Sequence, residues 1–175
     1  MIRILPRSSG LTDLVIFAAV VALGVAAWRF APLLLQQPDV ALPDQECALG
    51  REACRAELPG GGTLTLEARA DAGGDLQPGQ PMQLTATLAG AAADDVTVVF
   101  TGAEMEMGYN PAPLAAAPAG AAALAGTTVF RGPATIPVCV TGPMTWRATA
   151  NLRQSGRTVA VPFRFATGGT AANGH

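Results

Sequence analysis

Two methionines separated by one residue are the side chains in this sequence best suited to chemistry. Met105 and Met107 lie in the segment Glu-Met-Glu-Met-Gly-Tyr-Asn. In an extended strand the side chains alternate between two faces, so both methionines would share one face, and Glu104 and Glu106 the other. Thioethers are soft ligands of the kind that Cu(I) selects. Methionine also fills irregular gaps in cores, so the pair has two interpretations, a copper site and a core contribution.

Cys139 and Met144 extend this candidate site. A cysteine left over in a secreted domain is a buried thiol, an intermolecular partner or a ligand. If residues 135–140 pair with the strand that follows Met144 through the intervening Gly-Pro turn, both sulfurs come to one end of the domain, where the methionine pair could meet them. Three thioethers and one thiolate suit Cu(I). The predicted metal ligands are Met105, Met107, Cys139 and Met144.

Catalysis has little support in this sequence. The single histidine is His175, so the usual Ser-His and Cys-His pairs have no internal base. The 20 glycines form no phosphate-binding pattern ahead of a helix. We therefore expect a protein that is not an enzyme.

The distribution of charge argues against a nucleic-acid-binding protein. All 11 basic residues are arginines; Arg3, Arg7 and Arg29 lie near the amino terminus, and the others are scattered singly. Nucleic-acid binding needs a clustered basic face. Of the 13 acidic residues only Asp13 precedes residue 36, so the rest of the chain is acidic.

The amino-terminal segment has the composition of a membrane anchor. Residues 11–28 are almost entirely apolar, and a helix of that length spans about 27 Å, close to the hydrocarbon thickness of a bilayer. Arg3 and Arg7 precede the run, which places the amino terminus in the cytoplasm by the positive-inside rule. We predict a single-pass inner-membrane protein with its carboxy-terminal domain in the periplasm. The alternative is a signal peptide cleaved near Val25-Ala26-Ala27.

The segment after the anchor combines a spacer with two cysteines. Residues 36–45 contain two prolines among polar residues, which is typical of an extended spacer. Cys47 and Cys54 have six residues between them, and in an oxidising compartment such a pair forms a local disulfide. A catalytic or metal-binding cysteine pair is the alternative, although the spacing is not that of a redox motif or a zinc knuckle.

From residue 60 onward the hydrophobic pattern has a period of two. Alternating segments begin near Leu64, Met82, Val96, Met144 and Val159. Seven or eight short strands with Gly, Pro and Asp turns predict an all-β fold, an Ig-like antiparallel β-sandwich preceded by one transmembrane helix. Trp146 shares a face with Met144 and is expected in the core.

Two segments are predicted to lack regular structure. Residues 110–126 are rich in alanine but interrupted by three prolines, which favours a flexible loop. The second segment is the tail, residues 167–175, which is predicted to be disordered.

The predicted organisation is a cytoplasmic amino terminus (1–10), a transmembrane anchor (11–35), a spacer with the cysteine loop (36–59), a β-sandwich (60–166) and a disordered tail (167–175).

A family resemblance rests on the anchor, the small β-domain and the sulfur-containing motifs. The segments Met105-Glu-Met107-Gly108-Tyr-Asn110, Pro137-Val-Cys139 and Met144-Thr-Trp146 look like those of the YtkA-like and FixH-like proteins. The resemblance covers residues 64–165 in architecture and four residues in motif, and this chain lacks the histidines that often accompany such methionines. It implies copper handling in cytochrome oxidase assembly.

Two functions follow from these patterns. One is a membrane-tethered protein that binds or delivers Cu(I), with the inner membrane and an envelope protein as partners. The other is an interaction module without metal, an accessory subunit of an envelope complex, in which Met105, Met107 and Cys139 belong to the core. The direction in which the methionine side chains point distinguishes the two.

Overall fold

Alternation of apolar and polar residues builds most of the described residues from Pro38 onward into β-strands. The computed structural model describes residues 10–34, 38–105, 108–118, 126–138 and 144–167. These residues form two units, one ending at Gln37 and one beginning at Pro38.

The first unit contains one α-helix, α1, over Gly10–Leu34. Its large apolar side chains between Leu14 and Val25 are exposed. Among the residues that the structure describes, no helix combines the length and the hydropathy of a membrane span.

The second unit contains ten strands within the described ranges. In chain order they are β1 (Val40–Ala41), β2 (Gln45–Glu46), β3 (Cys54–Glu57), β4 (Thr63–Ala70), β5 (Pro81–Ala89), β6 (Asp95–Gly102), β7 (Pro111–Ala116), β8 (Thr127–Thr135), β9 (Thr145–Gln154) and β10 (Arg157–Ala166). The prediction of an all-β fold is confirmed.

Hydrogen bonding runs continuously through one curled sheet. The order of the strands is β1-β10-β9-β6-β7-β8-β5-β4-β3, with β2 beside β1 on the same edge of β10. Pairing with β10 is parallel for β1 and β2, and the other pairs are antiparallel. The strand β7 pairs with β6 on one side and with β8 on the other, and so joins the two halves of the sheet.

The buried face of each strand supplies the core. In β4, β5 and β9 every second residue is buried, except at the last residue of β4 and of β9, as the period of two predicts. Trp146 is fully buried, as expected, and Phe100 packs edge-on against Phe165 with ring centroids 6.4 Å apart. The largest fully buried side chains are Trp146, Phe100, Phe163, Leu64, Leu66, Met82, Leu84, Leu88, Ile136, Leu152, Val96 and Val98.

The strand β7 lies where the alanine- and proline-rich sequence predicted a loop. The prediction of a loop over residues 110–126 is wrong for Pro111–Ala116. The Phe100 N–H donates to the Asn110 C=O at 3.3 Å, so even-numbered residues of β7 bond to β6. The backbone nitrogens of Pro111 and Pro113 therefore face away from β6. Their lack of an N–H group removes no hydrogen bond between β7 and β6.

Pairing on the other side of β7 is cut short by the same prolines. The β7–β8 ladder includes Ala115 and Ala116, and continuing its register places Pro113 opposite Pro133. Neither proline has an N–H to donate. The ladder therefore ends there, although the backbones stay close at Gly132, where an added Cβ would lie 2.6 Å from the Pro113 carbonyl oxygen.

The strand β8 extends beyond the predicted segment Thr127–Arg131 and ends at Thr135, the first residue of the next predicted segment. The sequence divides Thr127–Arg131 from residues 135–140, but the strand runs unbroken through Gly132 and Pro133 to Thr135. It pairs with β5 and β7, whereas β9 pairs with β6 and β10. Residues 135–138 therefore form no ladder with β9, as the expected hairpin would require, and residues 139–143 lie outside the described ranges.

The predicted spacer is part of the β-unit. Residues 36–45 were expected to be an extended spacer, followed by the cysteine loop up to residue 59, yet β1 and β2 add to β10, and β3 adds to β4. The predicted disulfide is confirmed: Cys47 and Cys54 are bonded, with Cα atoms 5.7 Å apart.

Candidate functional site

Several connections meet at one end of the sheet. There β6 ends, β7 begins, β8 ends and β9 begins, as the paired registers require. We call this the methionine end and define it by residues 71–80, 103–105, 108–110, 136–138, 144 and 167. It carries Met105 and Met144, two of the four predicted metal ligands.

Met105 lies in a bend rather than in a strand. The strand β6 ends at Gly102, and residues 103–105 turn away from it. The Met105 side chain is 47% exposed, so it does not fill the core.

Glu104 and Met105 are neighbours in this bend. Strand alternation does not apply beyond the end of β6, and both residues line one cavity of about 450 Å³. Its wall also includes Arg147 from β9. A carboxylate beside a neutral thioether could offset the charge of a bound cation.

Met144 lies at the same end of the sheet, one residue before β9 begins. The Ala103 N–H donates to the Thr145 C=O at 2.9 Å, and Gly102 pairs with Trp146. Met105 and Met144 are therefore each within two residues of this hydrogen bond. Met144 is half-buried and packs against the core, so its side chain supports the core.

Met107 and Cys139 lie outside the described residues, and their place in the metal site stays a prediction. Within the described ranges no cluster of three or more His, Cys, Asp or Glu side chains has the arrangement of a metal site. That finding does not include thioether sulfur, so it does not bear on a copper site built from methionines.

Trp146 anchors the core beneath this end. Its indole Nε1–H donates to Thr167 Oγ1 at 3.1 Å, and both residues are buried. The tail was predicted to be disordered from residue 167 onward, but Thr167 is packed. Residues 168–175 lie outside the described ranges.

Arg147 in the cavity wall and Arg164, its neighbour on β10, each form an ion pair. Arg147 donates to both carboxylate oxygens of Asp44, and Arg164 on β10 pairs with Glu46 at 3.0 Å. The hydrogen bond from Arg147 is the main cause that lowers the pKa of Asp44. The same contact raises the pKa of Arg147. Arg147 is thus held by Asp44.

A groove lined by prolines opens where the β7–β8 ladder stops. Its volume is about 440 Å³, and Tyr109 at its rim is 67% exposed. Sequence reasoning missed this groove. The alternation of Pro111 and Pro113 was the available signal, since prolines at every second position remove the donors from one side of a strand. Four prolines line the groove, namely Pro81, Pro111, Pro113 and Pro133.

Comparison with known proteins gives no match to a protein-family model, to a curated protein or to a solved structure.

Proposed function

We propose that this chain is a membrane-tethered periplasmic protein that binds Cu(I) at the methionine end. Met105 and Met144 supply thioethers from two connections of the sheet, and Met107 and Cys139 are the further sulfur ligands proposed from the sequence. Thioether and thiolate sulfur are the donors that Cu(I) prefers. Glu104, beside Met105 in the same cavity, contributes negative charge.

One observation carries this proposal. The hydrogen bond from the Ala103 N–H to the Thr145 C=O ties the connection that holds Met105 to the start of the strand that follows Met144. A half-exposed thioether beside this bond is accessible to an incoming metal. A core role for Met105 would require burial instead.

Two features support the proposed location. The disulfide between Cys47 and Cys54 fits an oxidising compartment such as the periplasm. The exposed apolar side chains of α1 support a single-pass inner-membrane anchor, since lipid would cover them. We further propose an Ig-like sandwich of the YtkA-like or FixH-like kind, with delivery of copper during cytochrome oxidase assembly as its role.

The test is an anaerobic Cu(I) titration of the full chain in detergent, with a competing chelator. The double variant M105L/M107L keeps apolar volume, so it should fold like the parent but bind copper at least about tenfold more weakly. The matched control is M82L, because Met82 is buried in the core. If M105L/M107L binds copper as the parent does, the metal site is elsewhere and the proposal fails.

A second function is favoured by a separate observation. The proline-lined groove and the exposed Tyr109 beside it are apolar surface that needs no metal. Exposed apolar surface of this kind marks sites of protein interaction. On this proposal the β-unit is an interaction module of an envelope complex.

A further inference from the structure

Exposed apolar side chains of the β-unit concentrate at the methionine end. Outside α1, the large hydrophobic residues exposed among those described are Val40, Met105, Tyr109 and Val138. All but Val40 belong to the methionine end, and Val40 lies on β1. Single exposed hydrophobics are ordinary, but their grouping on neighbouring loops is a feature of binding surfaces.

The loops that carry Tyr109 and Val138 are in contact through the β4–β5 connection. Tyr109 lines the proline groove together with Pro81 at the start of β5. Two residues earlier, the Gly79 N–H donates to the Ile136 C=O at 2.8 Å. A Cβ at Gly79 would lie 2.7 Å from Val138 Cγ2. Tyr109, the groove and Val138 therefore form one continuous surface.

Gly79 also has a backbone reason for its identity. Its φ of +78° lies in the region that favours glycine. A side chain there would displace Val138, so the glycine keeps this part of the surface in place.

The charge of this surface is negative. The described residues of its connections, namely 71–80, 103–105, 108–110 and 136–138, contain three acidic residues and no arginine or lysine. The three are Asp71, Asp75 and Glu104.

Neighbouring arginines do not reverse this balance. In the part of the chain that the structure describes, each arginine beside these connections is paired with a carboxylate: Arg51 with Asp75, Arg69 with Glu67, Arg147 with Asp44 and Arg164 with Glu46. Asp71 and Glu104 are left in excess. An acidic surface with exposed apolar groups complements a basic one with apolar groups.

We infer that the methionine end is a docking surface for a protein partner that presents apolar side chains flanked by arginine or lysine. An apolar side chain of the partner enters the proline groove beside Tyr109, and its basic groups face Glu104 and Asp71. A lipid surface fits less well, because anionic headgroups attract basic segments and these connections have none. This inference rests on the interaction function proposed above and does not require copper.

The test uses the full chain in nanodiscs of zwitterionic lipid, without metal, and a fluorescent peptide of alternating Leu and Arg. Binding is measured by anisotropy. The variant Y109S/V138S should bind the peptide at least about tenfold more weakly, because truncated apolar anchors dominate such contacts. The matched control V40S removes the exposed hydrophobic that lies outside this surface and should bind like the parent.

A charge variant provides an independent readout. E104Q should weaken peptide binding at low salt and have little effect at about 0.5 M salt, where screening removes the attraction. Glu104 is exposed, so this change does not threaten the fold. Circular dichroism of every variant confirms that folding is retained.

Several outcomes would overturn the inference. One is that a Leu-Glu peptide binds as tightly as the Leu-Arg peptide, and another is that V40S weakens binding as much as Y109S/V138S does. The others are that the chain binds anionic vesicles in preference to the peptide, and that it self-associates in a way that Y109S/V138S abolishes. A failed copper titration with intact peptide binding would refute the copper proposal alone. The reverse result would refute the docking surface alone.

Discussion

The disulfide between Cys47 and Cys54 joins the two outer edges of the curled sheet. Cys47 follows β2, which pairs with β10 at one edge, and Cys54 begins β3, which pairs with β4 at the other. Exposed edge strands are sites of unwanted pairing. A bond that is local in sequence thus fixes two strands that are the most distant from each other in the order of the sheet.

Removing this bond should destabilise the β-unit without changing its fold. For a loop this short, the chain-entropy estimate is about 2 to 3 kcal/mol. We expect C47S/C54S to lower the free energy of unfolding by that amount in denaturant titrations. The reduced parent serves as the comparison. Identical unfolding midpoints with and without reductant would contradict the structural role of the disulfide.

Loss of the hydroxyl of Thr167 should leave a buried indole N–H without a partner. T167V keeps the shape of the side chain but removes the acceptor of Trp146 Nε1–H. An unsatisfied buried donor costs about 1–3 kcal/mol. T167S retains the hydroxyl and is the control. Chemical unfolding followed by tryptophan fluorescence, in a W28F background, measures both; equal stability of the two variants would refute the role of the bond.

The Asp44–Arg147 pair should make a small, acid-sensitive contribution to stability. The pKa of Asp44 is lowered below its ordinary 3.8 in the folded state, mainly by the hydrogen bond from Arg147. The contribution is therefore present above that ordinary value and is lost as the pH falls through the lower pKa of the folded state. Both side chains are about one-third exposed, so D44N should cost at most about 1 kcal/mol at pH 7.

The matched control for D44N is D75N. Arg51 also holds Asp75 through two hydrogen bonds and lowers its pKa, but this pair is more exposed to solvent. D75N should therefore cost less than D44N. Stability curves against pH for the two variants should converge with the parent in acid. A D44N deficit that persists below the titration of both states would contradict this account.

Restoring donors to the facing prolines should extend the β7–β8 ladder. In P113A/P133A each residue has an N–H that can donate to the opposite carbonyl. The net gain per bond, about 0.5–1.5 kcal/mol, is nearly offset by the greater freedom of the unfolded chain without proline. Stability should therefore change little, but the two new amides should show slow hydrogen exchange. Exchange as fast as in an unstructured peptide would refute this explanation of the groove.

Local patterns in the sequence determined the class of fold and the faces of its strands. Side chains alternate in any β-strand whatever its partner, so the burial of Leu64, Met82 and Trp146 followed from a period of two. The pairing of Cys47 with Cys54 was equally local. These features needed no knowledge of which strands are neighbours.

The partners of each strand were decided only by the tertiary structure. Pro111–Ala116 has the composition of a loop, yet β6 accepts it because its prolines face the other side. The expected hairpin does not form over the described residues 135–138, because both edges of β9 are already paired, with β6 and with β10. Pairing depends on distant segments, and a local pattern does not contain that information.

The candidate site shows the same division. The sequence identified Met105 and Met144 as soft ligands, because that property belongs to the side chain alone. The tertiary structure decided that β6 ends at Gly102, so that Met105 lies exposed in a bend and lines a cavity together with Glu104. Where a strand stops depends on its neighbours in the sheet, and the direction of the side chains beyond that point depends on where it stops.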